Sequence, residues 1–108
     1  MSSEDFLQAK AEELLSELNQ VVTQISTLKA ELASVEEALK RLEKLSDVEE
    51  VFERVGVVYV KRDKESVIVE LKATKEALES TIGSLEKREK DLRETLNRML
   101  QSSQAQGG

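Results

Sequence analysis

His and Cys are both absent, so the side chains able to do acid–base or covalent chemistry reduce to carboxylates, amines, guanidiniums and a few hydroxyls. Without imidazole or thiolate, the usual nucleophile–base pairs and the nitrogen or sulfur metal sites cannot be built. The adjacent acids Glu12/Glu13, Glu36/Glu37 and Glu49/Glu50 remain as candidates for general acid–base work. Such work needs a pocket that perturbs a carboxylate. The first two pairs fall on predicted helix surfaces and the third on a connector, so all three read as solvated. Gly56 and Gly83 stand alone, which leaves no glycine-rich phosphate loop. The sequence therefore predicts a protein that is not an enzyme, with no catalytic residues, no metal and no cofactor. What is left is association, through apolar surface and unpaired backbone.

Partners can be narrowed by charge. Of 108 residues, 16 are basic and 22 acidic, and the net charge of −6 repels phosphate backbones and anionic lipid surfaces. Neither nucleic acid nor a membrane is an expected partner. The start, Met1-Ser-Ser-Glu-Asp5, has no cationic or apolar signal region, and no apolar run is long enough to span a bilayer. With no cysteine for a disulfide framework, a cytoplasmic location is expected. The aromatics are only Phe6, Phe52 and Tyr59, Pro is absent, and charged residues make up 35%. That composition belongs to long helices rather than to a globular core.

Two heptad seams confirm the helical expectation. Leu7, Ala11, Leu14, Leu18, Val21, Ile25, Leu28, Leu32, Val35, Leu39 and Leu42 recur at alternating steps of four and three. A repeat of about 3.5 residues keeps one stripe facing a partner helix and winds the pair left-handed. Leu15, Val22 and Leu45 widen the stripe. The second seam is Ile68, Leu71, Lys75, Leu78, Ile82, Leu85, Glu89, Leu92, Leu96 and Met99, entered through Asp63 as N-cap. Lys75 and Glu89 interrupt it, either with stems packed and heads in water or as register-selecting polar positions.

Between the seams, Val51-Phe-Glu-Arg-Val-Gly-Val-Val-Tyr-Val-Lys61 is dense in β-branched and aromatic residues around one glycine. It reads as a β-hairpin. A Gly56-Val57 turn suits type II′, where only the first residue needs positive φ. That register puts Val51, Val55, Val58 and Val60 on one face with Glu53, and Phe52, Arg54, Tyr59 and Lys61 on the other. The predicted elements are a helix over 5–45, a hairpin over 51–61, a helix over 64–101 and a disordered tail over 102–108. The fold class is mainly α, a long antiparallel two-helix coiled coil with one β-hairpin between the helices.

Antiparallel pairing aligns residues whose numbers sum to about 110, because the connector is short. Leu39 then faces Leu71, Ile25 faces Leu85, Leu18 faces Leu92 and Leu14 faces Leu96. A slip of one heptad also aligns the seams, at the cost of a longer connection. An isolated two-stranded hairpin is marginal in water, and a helical pair offers too little surface to cover both its edges. Hairpins from several subunits closing into a β-barrel would satisfy it. The other reading is an irregular cap folded over the seam end.

Helix, single hairpin and helix with a coiled-coil seam together resemble the β-type subunit of prefoldin. The resemblance is carried by Leu42-Glu-Lys-Leu-Ser-Asp47, Val51 to Lys61, Val67-Ile-Val-Glu-Leu-Lys72, Leu78-Glu-Ser-Thr-Ile82 and Leu85 to Arg93, and covers about residues 40–96. The first helix matches only in periodicity. The family often has Pro where Ser46 stands and Gln where Arg88 stands. The resemblance implies a hexamer of two α-type and four β-type subunits whose hairpins form a barrel. It implies ATP-independent holding of unfolded polypeptides at the coiled-coil tips and delivery to a group II chaperonin. The implied hairpin contacts are Val51, Phe52, Val55, Gly56, Val58, Tyr59 and Val60. The β-type pattern with dense charge suggests an archaeal protein.

At the end away from the hairpin, Phe6, Leu7, Ala11, Leu14, Leu15, Leu96, Met99 and Leu100 are more apolar than an exposed helix end requires. They either present apolar surface to unfolded chains or simply finish the seam. The competing function is a structural coiled-coil scaffold or filament without clients, for which inert, well-capped tips are expected.

Overall fold

Ser2 opens the first helix, its Oγ accepting the Asp5 amide hydrogen at 3.2 Å. Helix α1 then runs Ser3–Glu43, with Glu4 and Asp5 in its first turn and Lys40 and Arg41 in its last. Acids at the start and bases at the end both complement the helix dipole. The computed structural model describes the backbone of residues 2–107 and the side chains of residues 2–102. Helix α1 ends two residues before the expected boundary at Leu45. Tight turns cause this: the Lys44 amide donates to Arg41 O at 3.3 Å and the Leu45 amide to Leu42 O at 3.1 Å. Such bonds close the last turn on orphan carbonyls.

Strands β1 (Glu50–Val55) and β2 (Val58–Asp63) pair antiparallel, and each extends slightly beyond the expected hairpin of 51–61. Val55 opposes Val58, which leaves Gly56-Val57 as the turn. Gly56 has φ of 62°, and no non-glycine residue among those described has positive φ. Those signs are what a type II′ turn requires. Because paired residues share a face, Val51, Glu53, Val55, Val58, Val60 and Arg62 lie together, and Phe52, Arg54, Tyr59 and Lys61 lie opposite.

Helix α2 (Lys64–Gly107) follows β2 with no intervening residue. Asp63 caps it, Oδ2 accepting from the Ser66 amide and hydroxyl, each at 3.0 Å. The helix continues to Gly107, where a disordered tail over 102–108 was expected; Gly108 lies outside the described residues. Ser, Gln and Ala tolerate helix, and no Pro or Gly interrupts the chain between Gly83 and Gly107.

The chain divides into two compact units, one of residues 1–28 with 81–108 and one of residues 29–80. In the first, Leu14, Leu18, Val21, Ile25 and Leu92 form the core, with Leu85, Leu96 and Met99 packed against it. These are the seam positions expected to meet. Glu17 and Arg88 join α1 to α2 beside this core, Arg88 Nε donating to Glu17 Oε1 at 2.8 Å. In the second unit Leu39, Ile68 and Leu78 are buried, and Lys72 Nζ lies 3.8 Å from Glu43 Oε1. The two polar seam residues are half-buried with heads paired along their own helix, Lys75 to Glu79 at 3.9 Å and Glu89 to Arg93 at 2.8 Å.

Leu92 is only 1% exposed, so Leu92→Ala should cost about 2–5 kcal/mol in urea unfolding. A Cβ at Gly83 would meet nothing within 4 Å, so Gly83→Ala should stabilise the helix by about 0.5–1 kcal/mol. Gly56→Ala should destabilise by about 1–2 kcal/mol, because its φ is left-handed although space is open.

Candidate functional site

The hairpin carries most of the exposed large apolar side chains of the 29–80 unit, the others being Leu45, Val48 and Val69. Its sheet has two strands, so each strand has one edge without a neighbour among the described residues. Val51 is half-buried, but Val55, Val58 and Val60 are exposed on the valine face. Burial of that face, which its composition demands, is not achieved within the chain. Phe52 and Tyr59 on the opposite face are each 68% exposed, and Val57 at the turn is 95% exposed. Apolar residues on both faces and at the tip, with open edges, make a surface suited to association.

Three consecutive residues mount this hairpin on the helices. Arg62 Nη1 donates to Glu53 Oε2 of β1 and Arg62 Nη2 donates to Glu70 Oε1 of α2, both at 2.7 Å. Hydrogen bonding to Glu70 first, and to Glu53 next, holds the guanidinium above its usual pKa range, so it stays charged. Asp63 caps α2 as described. Lys64 is buried; its amide donates to Glu49 O at 2.8 Å and its Nζ to Leu45 O at 2.5 Å. The ammonium thus holds the connector between α1 and β1, since Leu45 lies two residues past the end of α1.

Arg62 and Lys64 were not among the candidates read from the sequence. The signals existed. A Gly56-Val57 turn places Arg62 on the same face as Glu53, and Asp63 as N-cap makes Lys64 the first helical residue. A base is disfavoured there unless a specific acceptor waits for it. On the other face Lys61 pairs with Glu50 at 2.7 Å, and at the turn Arg54 Nε donates to Gly56 O at 3.1 Å.

The predicted tip residues separate into two groups in the unit of residues 1–28 and 81–108. Leu14 is buried, Leu96 and Met99 pack against the core, and Ala11 is half-buried. Phe6, Leu7, Leu15 and Leu100 are exposed, Phe6 at 63% and Leu100 at 59%. Seam position accounts for Phe6, Leu15 and Leu100, each one residue off the stripe, whereas Leu7 is a seam residue that stays exposed in the first turns of α1. Among the described residues no three acidic side chains cluster as metal ligands, and no helix is long and apolar enough to cross a membrane.

Comparison with known proteins gives a consistent picture. The family described as "Prefoldin subunit" matches residues 6–107. The chain is 40% identical over 88 residues to a prefoldin subunit beta of Archaeoglobus fulgidus, covering 82% of this chain and 76% of that protein. It is 34% identical over 88 residues to one of Thermococcus onnurineus, with the same coverage. The crystal structure of the prefoldin beta subunit from Thermococcus strain KS-1 superposes with a TM-score of 0.84 at 32% identity, covering 94% of this chain and 89% of that one.

The division of the tip predicts separable effects. Phe6→Ser and Leu100→Ser should leave urea stability within about 0.5 kcal/mol of the parent, as exposed positions do. Leu96→Ala, against the core, should cost about 2 kcal/mol or more in the same measurement.

Proposed function

The chain belongs to the prefoldin subunit family, and from that premise we propose that it is a β-type subunit of an ATP-independent co-chaperone. Its hairpin joins those of other β-type copies and of α-type subunits in a hexamer, closing the open edges into a β-barrel. Val51, Phe52, Val55, Gly56, Val58, Tyr59 and Val60 are the assembly contacts. The complex holds non-native polypeptides in the cytoplasm and passes them to a group II chaperonin.

The observation that supports this best is the hairpin itself, with apolar side chains exposed on both faces and no strand beyond either edge among the described residues. A scaffold needs only the seam. In the unit of residues 1–28 and 81–108, exposed Phe6, Leu7, Leu15 and Leu100 offer several weak apolar contacts. Unfolded chains display scattered apolar side chains, so many weak contacts give capture without sequence selectivity. Seam residues Ala11, Leu14, Leu96 and Met99 join them when the helix ends fray, and Met99 adds adaptability.

Native mass spectrometry of the chain alone and mixed with an α-type subunit tests the assembly. A complex of four copies of this chain with two α-type subunits is expected; a persistent monomer in both samples would refute it. Removal of residues 1–10 and 98–108 should leave that mass reduced only by the deleted residues while abolishing suppression of client aggregation in light scattering. Retained suppression would rule out the tips as the holding site.

A further inference from the structure

Between β2 and α2 there is no linker residue, yet a two-stranded hairpin has no core of its own to hold its angle against the helix. Something must keep it from swinging about the junction at Asp63. Two of the three mounting residues act only at the base. Asp63 caps α2 through Ser66, and Lys64 holds Glu49 and Leu45, which precede β1. Both act where the sheet ends, at the Glu50–Asp63 pair and just beyond it. Arg62 reaches into the sheet, because Glu53 is the fourth residue of β1 and Glu70 lies beyond the first turn of α2.

We propose that Arg62 is a positioning residue that sets the angle of the hairpin on α2, by bridging Glu53 and Glu70, and so makes closed assembly possible. The dependence on assembly rests on the reading under Proposed function; the bridge itself does not. The guanidinium suits this task because it is planar and its two terminal nitrogens serve two carboxylates at once, at 2.7 Å each. The Arg62 side chain is 26% exposed against 48% for Glu53 and 60% for Glu70, so the guanidinium is the most enclosed member of the bridge. An ammonium could neutralise the same acids but would not impose the same plane. Closed rings are sensitive to angle: a contact whose rotation does not close yields open or incomplete species. A swinging hairpin could still pair its edges, but it would pair them over a range of angles.

The test uses the absence of cysteine. Spin labels at Val57→Cys and Ala73→Cys report the hairpin-to-helix distance in the isolated chain, with no competing thiol. With Arg62 present the distance distribution should be narrow. Arg62→Ala should broaden it while leaving helix content by circular dichroism unchanged, and Arg62→Lys should fall between. In mixtures with an α-type subunit, Arg62→Ala should lose the closed complex in favour of a spread of smaller and open species. Should Arg62→Ala lower helix content, Glu70→Gln, which keeps Arg62 and Glu53, must show the same broadening. An unchanged distance distribution overturns the proposal, including the case in which assembly is lost, since Arg62 would then act as a direct subunit contact. Failure of the parent chain to assemble at all would count against the proposed function, while the label distances would still decide the role of Arg62.

Discussion

A pair of β-strands has two edges of backbone donors and acceptors and two faces, and it cannot cover any of them alone. That constraint governs the part of this chain between the helices. The register is well specified, with Gly56 at positive φ and Val55 opposite Val58, yet a precise register does not bury a surface. Valines gather on one face, Phe52 and Tyr59 occupy the other, and the apolar side chains of both remain exposed apart from half-buried Val51. The surplus apolar area represents stabilisation available only on association.

The helices answer a different need. Leu, Val and Ile at seam positions give the unit containing both ends of the chain a core centred on Leu92, and charges flank that core. Lys75 and Glu89 sit in the seam without being left uncompensated, because each is half-buried and paired one turn along its own helix. Their long stems can cover apolar neighbours while their heads reach partners at the surface. The division of labour is thus between helices that bury a core of their own and a hairpin whose apolar side chains are mostly exposed.

Residues 62–64 connect these two regimes. Within three positions the chain places a guanidinium bridging strand and helix, a carboxylate capping α2, and a buried ammonium on the Leu45 carbonyl in the connector after α1. Each interaction is ordinary by itself. Concentrated at a junction with no linker, they hold an exposed hairpin in a defined attitude. The chain belongs to the prefoldin subunit family, and the prefoldin beta subunit from Thermococcus strain KS-1 shares its fold at a TM-score of 0.84 with 32% identity.

Much of this was legible from residue order alone. Heptad spacing identified both helices and which stripe would be buried, since burial follows a 3.5-residue period regardless of what packs there. A single glycine among β-branched residues located the turn to the residue, because only Gly56 can take positive φ cheaply. Asp63 announced the start of α2 for an equally local reason. Tertiary structure decided what depends on distance between separated segments. It divided the tip residues into core (Leu14, Leu96, Met99) and exposed surface (Phe6, Leu7, Leu15, Leu100), with Ala11 half-buried. It also gave Arg62 and Lys64 their roles. A long cationic side chain can reach many acceptors, and its type in the sequence does not say which one; only the fold, by bringing Glu53, Glu70 and the Leu45 carbonyl within hydrogen-bonding distance, makes that choice.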